Sequence, residues 1–353
     1  MEGAAKISRI PPAETSFQIT KEFLELALDK EVENFSTGTG TNPGEHYLSI
    51  MYAIEMTFKG ENQSNPYLIK CYPSSSPGPR EWLNGGFTKE LFISCACWKC
   101  GWTPSKFTNT AWSPESFILM TDLNKTSGFT MEDRIQGLDL DQTKITMKEI
   151  ARLHALSWAY KQKNGVNLLS TKYPQLLSKM NTSSNPDIIG MGQLMTDLND
   201  SCLKIVEEKL GASHPACKSY KKFIARGGME TMNAFLNKME SMRELWKVYF
   251  EFSLMKIRIT TMPWMVGSHG DCWLSNLLFR YNDRGKPAAV TLVDYQLARE
   301  ACPTLDLVLF LYTSIRASIR IPDLDEILRV YHDAFVRNCE ALQVNPERAG
   351  ILA

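Results

Sequence analysis

The segment Ser268-His-Gly-Asp-Cys-Trp-Leu-Ser-Asn276 does most to limit what this chain can fold into. It sets His269, Asp271 and Asn276 in a His-x-Asp-x-x-x-x-Asn spacing. Two short apolar runs follow, Leu277 to Tyr281 and Ala288 to Val293, joined by Asn282-Asp-Arg-Gly-Lys-Pro287. Runs of that length around a Gly/Pro/Asn turn predict a β-hairpin. The second strand brings Asp294, eighteen residues after Asn276, back beside the loop. Three oxygen-bearing side chains then meet at one point. The plain alternative, Asp271 as a helix cap and Asn276 as a turn residue, leaves the spacing unaccounted for.

The residue types match one kind of chemistry. Transfer of a phosphoryl group from ATP needs a carboxylate that orients the attacking hydroxyl and takes its proton, and it needs ligands for the metal that bridges the phosphates. Mg²⁺ prefers hard oxygen donors, which an amide carbonyl and a carboxylate supply. Asp271 is therefore the candidate base, and Asn276 and Asp294 are the candidate Mg²⁺ ligands.

Upstream parts fall in a compatible order. Thr20 to Val32 predicts a short amphipathic helix with Phe23, Leu24, Ala27 and Leu28 on one face. The stretch Ser36 to Glu45 carries Gly38, Gly40 and Gly44, which suit a loop whose backbone must approach phosphate closely. Taken alone it is also what a turn before a strand looks like. Tyr47 to Phe58 and Tyr67 to Tyr72 predict a second hairpin, and Lys70 near its end is placed to reach ATP phosphates. Glu90, in a helix expected from about Phe87 to Lys99, is the expected partner of Lys70, with Glu81 as a rival. Phe117 to Met120 predicts a further strand. Helical periodicity then covers Thr146 to Lys161, Ile189 to Leu210, Ser219 to Ile257 and the chain from Leu305 onward. The expected architecture is α+β with two lobes: a β-rich N-lobe over 1–120 and a helical C-lobe over 121–353.

Three stretches carry a resemblance. His269-Gly-Asp-Cys-Trp-Leu-Ser-Asn276, Val293-Asp-Tyr-Gln-Leu297 and Pro303-Thr-Leu-Asp-Leu307 resemble the ecdysteroid-kinase-like (CHK-kinase-like) family, within the choline and aminoglycoside kinases of protein-kinase-like fold. Gly44-Glu-His-Tyr-Leu-Ser49, Phe87-Thr-Lys-Glu90, Ile118 to Leu123 and Ala151-Arg-Leu-His-Ala155 extend it over nearly the whole chain. The resemblance implies a hinge against adenine at Thr121, Asp122 and Leu123, and a phosphate loop that includes Ser49. It implies bracing roles for His154, His269 and Asp306. It favours a lipophilic hydroxylated acceptor such as an ecdysteroid. A choline-type cationic acceptor and a catalytically silent kinase-fold binder are the competing readings. His46 stands where the family has Asn, and Thr121 where it has Glu.

Other classes are disfavoured. Lys plus Arg and Asp plus Glu are both 39, so no global positive field holds nucleic acid. The apolar stretch Leu305 to Tyr312 is too short to span a bilayer. With no apolar signal segment, the nine cysteines read as free thiols in a cytoplasmic protein. Cys95-Ala-Cys-Trp-Lys-Cys100 lacks a second Cys/His pair for zinc, so buried thiols on a helix are the simpler reading. No obligate protein partner is inferred.

Overall fold

The computed structural model describes residues 19–40, 50–71, 112–113, 117–166, 168–176, 186–225 and 265–346. Gly44, His46, Ser49, Glu81, Glu90, the Cys95–Cys100 run and the helix expected over Phe87–Lys99 lie outside them, as does the chain from 226 to 264. The chain divides into two units. One comprises Met1–Ser76, Glu81–Leu176 and Pro263–Leu352; the other comprises Pro77–Arg80, Leu177–Met262 and Ala353.

In the first unit, helix α1 (Lys21–Leu28) starts where the Thr20 hydroxyl accepts the Phe23 amide at 3.2 Å. It ends earlier than the periodicity predicts. Asp29 takes a left-handed conformation at φ 55°, and Val32 opens strand β1 (Val32–Thr39) instead of closing the helix. Strands β2 (Ile50–Phe58) and β3 (Asn65–Cys71) form the predicted hairpin, with Ile54 opposite Tyr67. With β4 (Trp112–Ser113) and β5 (Phe117–Thr121) they make an antiparallel sheet in the order β1-β2-β3-β5-β4. Side chains alternate across a strand, so Ile54, Met56 and Phe58 share one buried face of β2, and Ile69 and Cys71 share that of β3. Phe23, Leu24 and Leu28 of α1 pack on this face. Lys70 points to the other one.

Asp122 caps a short helix α2 (Leu123–Ser127), and β6 (Thr130–Met131) follows. The long helix α3 (Leu140–Asn164) begins six residues before the expected Thr146. Its N-terminus is a capping box: the Asp139 carboxylate accepts the Gln142 amide at 2.7 Å, and Gln142 Oε1 accepts the Asp139 amide at 2.8 Å. Helix α4 is Leu169–Lys172. In the second unit, α5 (Pro186–Leu210) and α6 (Pro215–Ala225) pair through a hydrogen bond from the Tyr220 hydroxyl to Asn199 Oδ1 at 2.9 Å.

The rest of the first unit holds β7 (Val266–Ser268), β8 (Leu277–Tyr281), β9 (Pro287–Leu292), β10 (Arg299–Ala301), α7 (Thr304–Thr313) and α8 (Ala317–Ala341). Strands β8 and β9 are the expected hairpin, joined by β6 on its far edge. Strand β10 pairs antiparallel with β7. Ile327, Tyr331, Ala334, Phe335 and Cys339 form the buried stripe of α8, at the i, i+4, i+7, i+8 spacing of an amphipathic helix. It packs with Ile150, Leu153 and Trp158 of α3, and with Leu274, Phe279 and Leu292, into one apolar core. The fold is thus α+β: an antiparallel sheet lobe with its own core, and a helical lobe that carries the loop and hairpin.

Candidate active site

The loop between β7 and β8 begins with a turn that only glycine fits. Gly270 has φ +81°, and a Cβ placed there would lie 2.1 Å from the Leu297 carbonyl oxygen. The turn is held from below by Asp306, fully buried in the first turn of α7. Its Oδ2 accepts the His269 amide at 2.7 Å and its Oδ1 accepts the Gly270 amide at 2.8 Å. His154 Nε2, from α3, lies 3.0 Å from the same Oδ2. The His269 ring is held inside the loop. It is fully buried, its Nε2 is 2.9 Å from the Val293 carbonyl oxygen, and it packs on Tyr295 with 4.6 Å between ring centres.

Beyond the turn, Asp271 and Asn276 fold toward each other. Asn276 Nδ2 donates to the Asp271 carbonyl oxygen at 2.9 Å and to its Oδ2 at 3.0 Å. The Asn276 carbonyl oxygen accepts the Val293 amide at 3.0 Å, which ties the loop to the end of β9. Asp294 follows directly. It sits at φ 65°, ψ 66°, a left-handed conformation that Asp tolerates better than most side chains. Its Oδ1 receives Lys70 Nζ from β3 at 2.8 Å, across 224 residues of sequence. The lysine side chain is 4% exposed and the aspartate 18%.

Charge is unevenly distributed here. Burial pushes the Asp271 carboxyl above its ordinary range; Asp294 adds to the rise, while His269 and Asn276 oppose it. A carboxylate with raised proton affinity suits a general base. Burial acts on Asp306 in the same direction, but the hydrogen bonds that its carboxylate receives from His154 and from the Gly270 amide oppose it, and that carboxyl ends below its usual range. Arg299 donates to the Leu297 carbonyl oxygen at 3.3 Å and adds a half-buried positive charge near Asp306 and Asp271.

The donor set fits a hard divalent cation. Both hydrogen bonds of Asn276 to Asp271 use Nδ2, and among the described residues no hydrogen bond uses Asn276 Oδ1. An amide oxygen and a carboxylate such as that of Asp294 are the ligand types Mg²⁺ takes.

The remaining described residues singled out by the sequence belong to the sheet and the short helix after it. Gly38 lies within β1 opposite Ala53, and Gly40 follows the strand. A Cβ on Gly40 would come 2.9 Å from the Met51 backbone carbon, so glycine is required by the adjoining strand itself. Thr121 ends β5. The Asp122 amide donates to the Pro66 carbonyl oxygen at 3.1 Å, and its carboxylate accepts Asn124 and Lys125 amides at 2.9 and 3.2 Å, so its side chain serves as a helix cap. Leu123 is buried.

Two features escaped the sequence reading. Lys161, near the end of α3, is buried and donates to Glu300 Oε1 at 3.0 Å and to the Met265 carbonyl oxygen at 2.7 Å. Glu300 Oε2 accepts the Ser170 amide at 2.9 Å, so this pair clamps β10, and through it β7, onto α3. Tyr331 on α8 places its hydroxyl 2.8 Å from His154 Nδ1. The only sequence signal for either was its place in the periodic stripe of its helix.

A family model described as the ecdysteroid kinase-like family matches residues 43–344. Comparison with curated proteins finds no match. Among solved structures, the chain is similar to an ethanolamine kinase from Plasmodium vivax, at 12% sequence identity and a TM-score of 0.44, covering 88% of this chain and 73% of that one.

Proposed function

The chain belongs to the ecdysteroid kinase-like family, and from that premise we propose that it is an ATP- and Mg²⁺-dependent phosphotransferase acting on a hydroxyl of a small lipophilic alcohol, an ecdysteroid or a related hydroxylated compound. One observation carries the reading: Lys70 bonds Asp294 and Asn276 bonds Asp271, and the Val293 amide, donating to the Asn276 carbonyl oxygen, ties the loop that carries the second pair to the strand end that carries the first.

In this reading Asp271 orients the acceptor hydroxyl and takes its proton, helped by a carboxyl that burial has made more basic. Asn276 keeps the Asp271 carboxylate in place through Nδ2 and turns its oxygen toward the metal. Asp294 is the second metal ligand, and Lys70 supplies a fixed positive charge for the phosphates. Bound Mg²⁺ would neutralise phosphate charge and align the transferred group. In the same reading the Gly38–Gly40 end of β1 would cover the phosphates, a role the sequence also gives to Gly44 and Ser49, and the Thr121–Leu123 backbone would form the adenine hinge. The acceptor class rests on the family alone.

The test is a panel of hydroxylated small molecules, with sterols, choline and ethanolamine among them, offered with ATP and Mg²⁺ and followed by phosphate incorporation. The expected outcome is transfer to a lipophilic alcohol. Asp271→Asn should lower turnover by about 10²–10⁴-fold while nucleotide still binds, as loss of a general base does. Asp294→Asn should weaken binding of the magnesium nucleotide itself. Normal turnover in both variants would end the assignment, and transfer only to choline or ethanolamine would replace the lipophilic acceptor with a cationic one.

A further inference from the structure

The turn that presents Asp271 is fastened to α8 by a buried relay whose proton positions follow from the chemistry of its donors and acceptors. At one end, the Asp306 carboxylate receives two backbone amides, His269 at 2.7 Å and Gly270 at 2.8 Å, which can only donate. His154 Nε2 approaches the same carboxylate at 3.0 Å, and it must carry a proton for that contact to attract. At the other end, the Tyr331 hydroxyl lies 2.8 Å from His154 Nδ1, in a position where burial keeps the phenol protonated. Among the described residues no other acceptor is found for that phenolic proton. It therefore goes to Nδ1, and a ring that accepts at Nδ1 donates at Nε2. All three side chains are buried, His154 and Asp306 fully and Tyr331 at 4% exposure.

We propose that Tyr331 is a positioning residue for the catalytic turn: its hydroxyl locks His154 in the Nε2–H tautomer, so that Asp306 stays ionised and oriented to hold the His269 and Gly270 amides beneath Asp271. The inference rests on the reading of Asp271 as the catalytic carboxylate. It goes beyond that reading in giving α8, remote in sequence, a part in setting the geometry. A neutral histidine without a partner at Nδ1 is free to move its proton to that nitrogen. Nε2 would then face the Asp306 carboxylate lone pair to lone pair, and the contact would turn repulsive.

Tyr331→Phe removes one oxygen atom and keeps the ring that packs on Phe335 and edge-on to His154. In the full chain, two-bond ¹H–¹⁵N correlations of ¹⁵N-histidine protein report the tautomer directly, with His154 assigned by comparison with His154→Gln. The wild-type protein should show His154 as the Nε2–H form alone. Tyr331→Phe should show a mixture, with the Gly270 amide exchanging about tenfold faster, as loss of one hydrogen bond to a charged group allows. ATP hydrolysis in the absence of acceptor should show a kcat about tenfold lower, with the nucleotide KM unchanged. Phe335→Leu, which trims the same core stripe, should lower the melting temperature and leave the tautomer alone. An unchanged tautomer and unchanged Gly270 exchange in Tyr331→Phe would overturn the proposal, as would the same tautomer change in Phe335→Leu. If the wild-type protein binds magnesium nucleotide but turns nothing over, the kinase reading fails, and the tautomer and exchange measurements still decide whether Tyr331 positions the turn.

Discussion

Asp271 carries a thermodynamic cost that follows from its chemistry. Burial raises its folded-state pKa above the ordinary 3.8 of an aspartate, with the Asp294 charge adding to the rise. The folded chain then binds that proton more readily than the unfolded chain does. Above the raised value the carboxylate is ionised in both states and its desolvation opposes folding; as pH falls through that value toward 3.8 the folded state is relatively favoured and the cost disappears. Asp271→Asn removes the charge and keeps the shape. The variant should melt about 2 °C higher than the wild type near neutral pH, and the gap should close as the pH is lowered, measured by calorimetry at constant ionic strength. An Asn variant less stable than wild type at neutral pH would mean that hydrogen bonds to the carboxylate outweigh its burial. This part of the site was legible in the sequence because its residues are close together: the spacing of His269, Asp271 and Asn276 is set by one loop. Asp306 and His154 came only through a family resemblance. Tyr331 was not legible at all, since its partner lies 177 residues away and a buried tyrosine on an amphipathic stripe reads as ordinary core.

Elements were legible in proportion to their length and periodicity. The two hairpins and the long helices within the described residues stand where alternation or a 3.6-residue repeat predicts them, while most of the helix expected over Ser219–Ile257 lies outside those residues. Strands β6 and β10 have only two and three residues, and their pairing is decided by neighbours far away in sequence. The early start of α3 was written in Asp139-Leu-Asp-Gln142, a capping signature that precedes the apolar repeat. The clamp between α3 and β10 was hidden for a different reason: a lysine in the last turn of a helix normally reads as solvated. Here the Lys161 side chain is 4% exposed and that of Glu300 is 2%, and burial lowers the lysine's proton affinity while Glu300 opposes the loss. Removing one partner strands the other charge in the core. Lys161→Met should therefore lose about 3 kcal/mol in urea unfolding, whereas Lys161→Met with Glu300→Gln should lose clearly less than the sum of the two single changes. Additive losses would show that the two groups are solvated independently, contrary to the geometry.

At the scale of the whole molecule, the sheet lobe and the helical lobe have separate apolar cores, and the Lys70–Asp294 bridge is a polar tie between them. In the proposed reading both members are also ligand-binding groups, so the tie and the ligand act on the same atoms. A metal ion alone must compete with Lys70 for the Asp294 carboxylate, which is unfavourable because it leaves a mostly buried ammonium without that counter-charge. A nucleotide that arrives with the metal brings phosphate charge for the lysine, and the exchange becomes balanced. Three melting experiments follow from this. Mg²⁺ alone should shift the wild-type melting temperature little. ATP with Mg²⁺, at about a hundred times its Kd, should stabilise by about 2.7 kcal/mol, a rise of roughly 5 °C, and chelating the metal with EDTA should remove most of that rise. In Lys70→Met the order should invert: the metal alone should now stabilise, because the Asp294 carboxylate no longer has the ammonium beside it, while the added effect of nucleotide should shrink. A Lys70→Met protein that responds to metal as the wild type does would show that the bridge does not control access to Asp294.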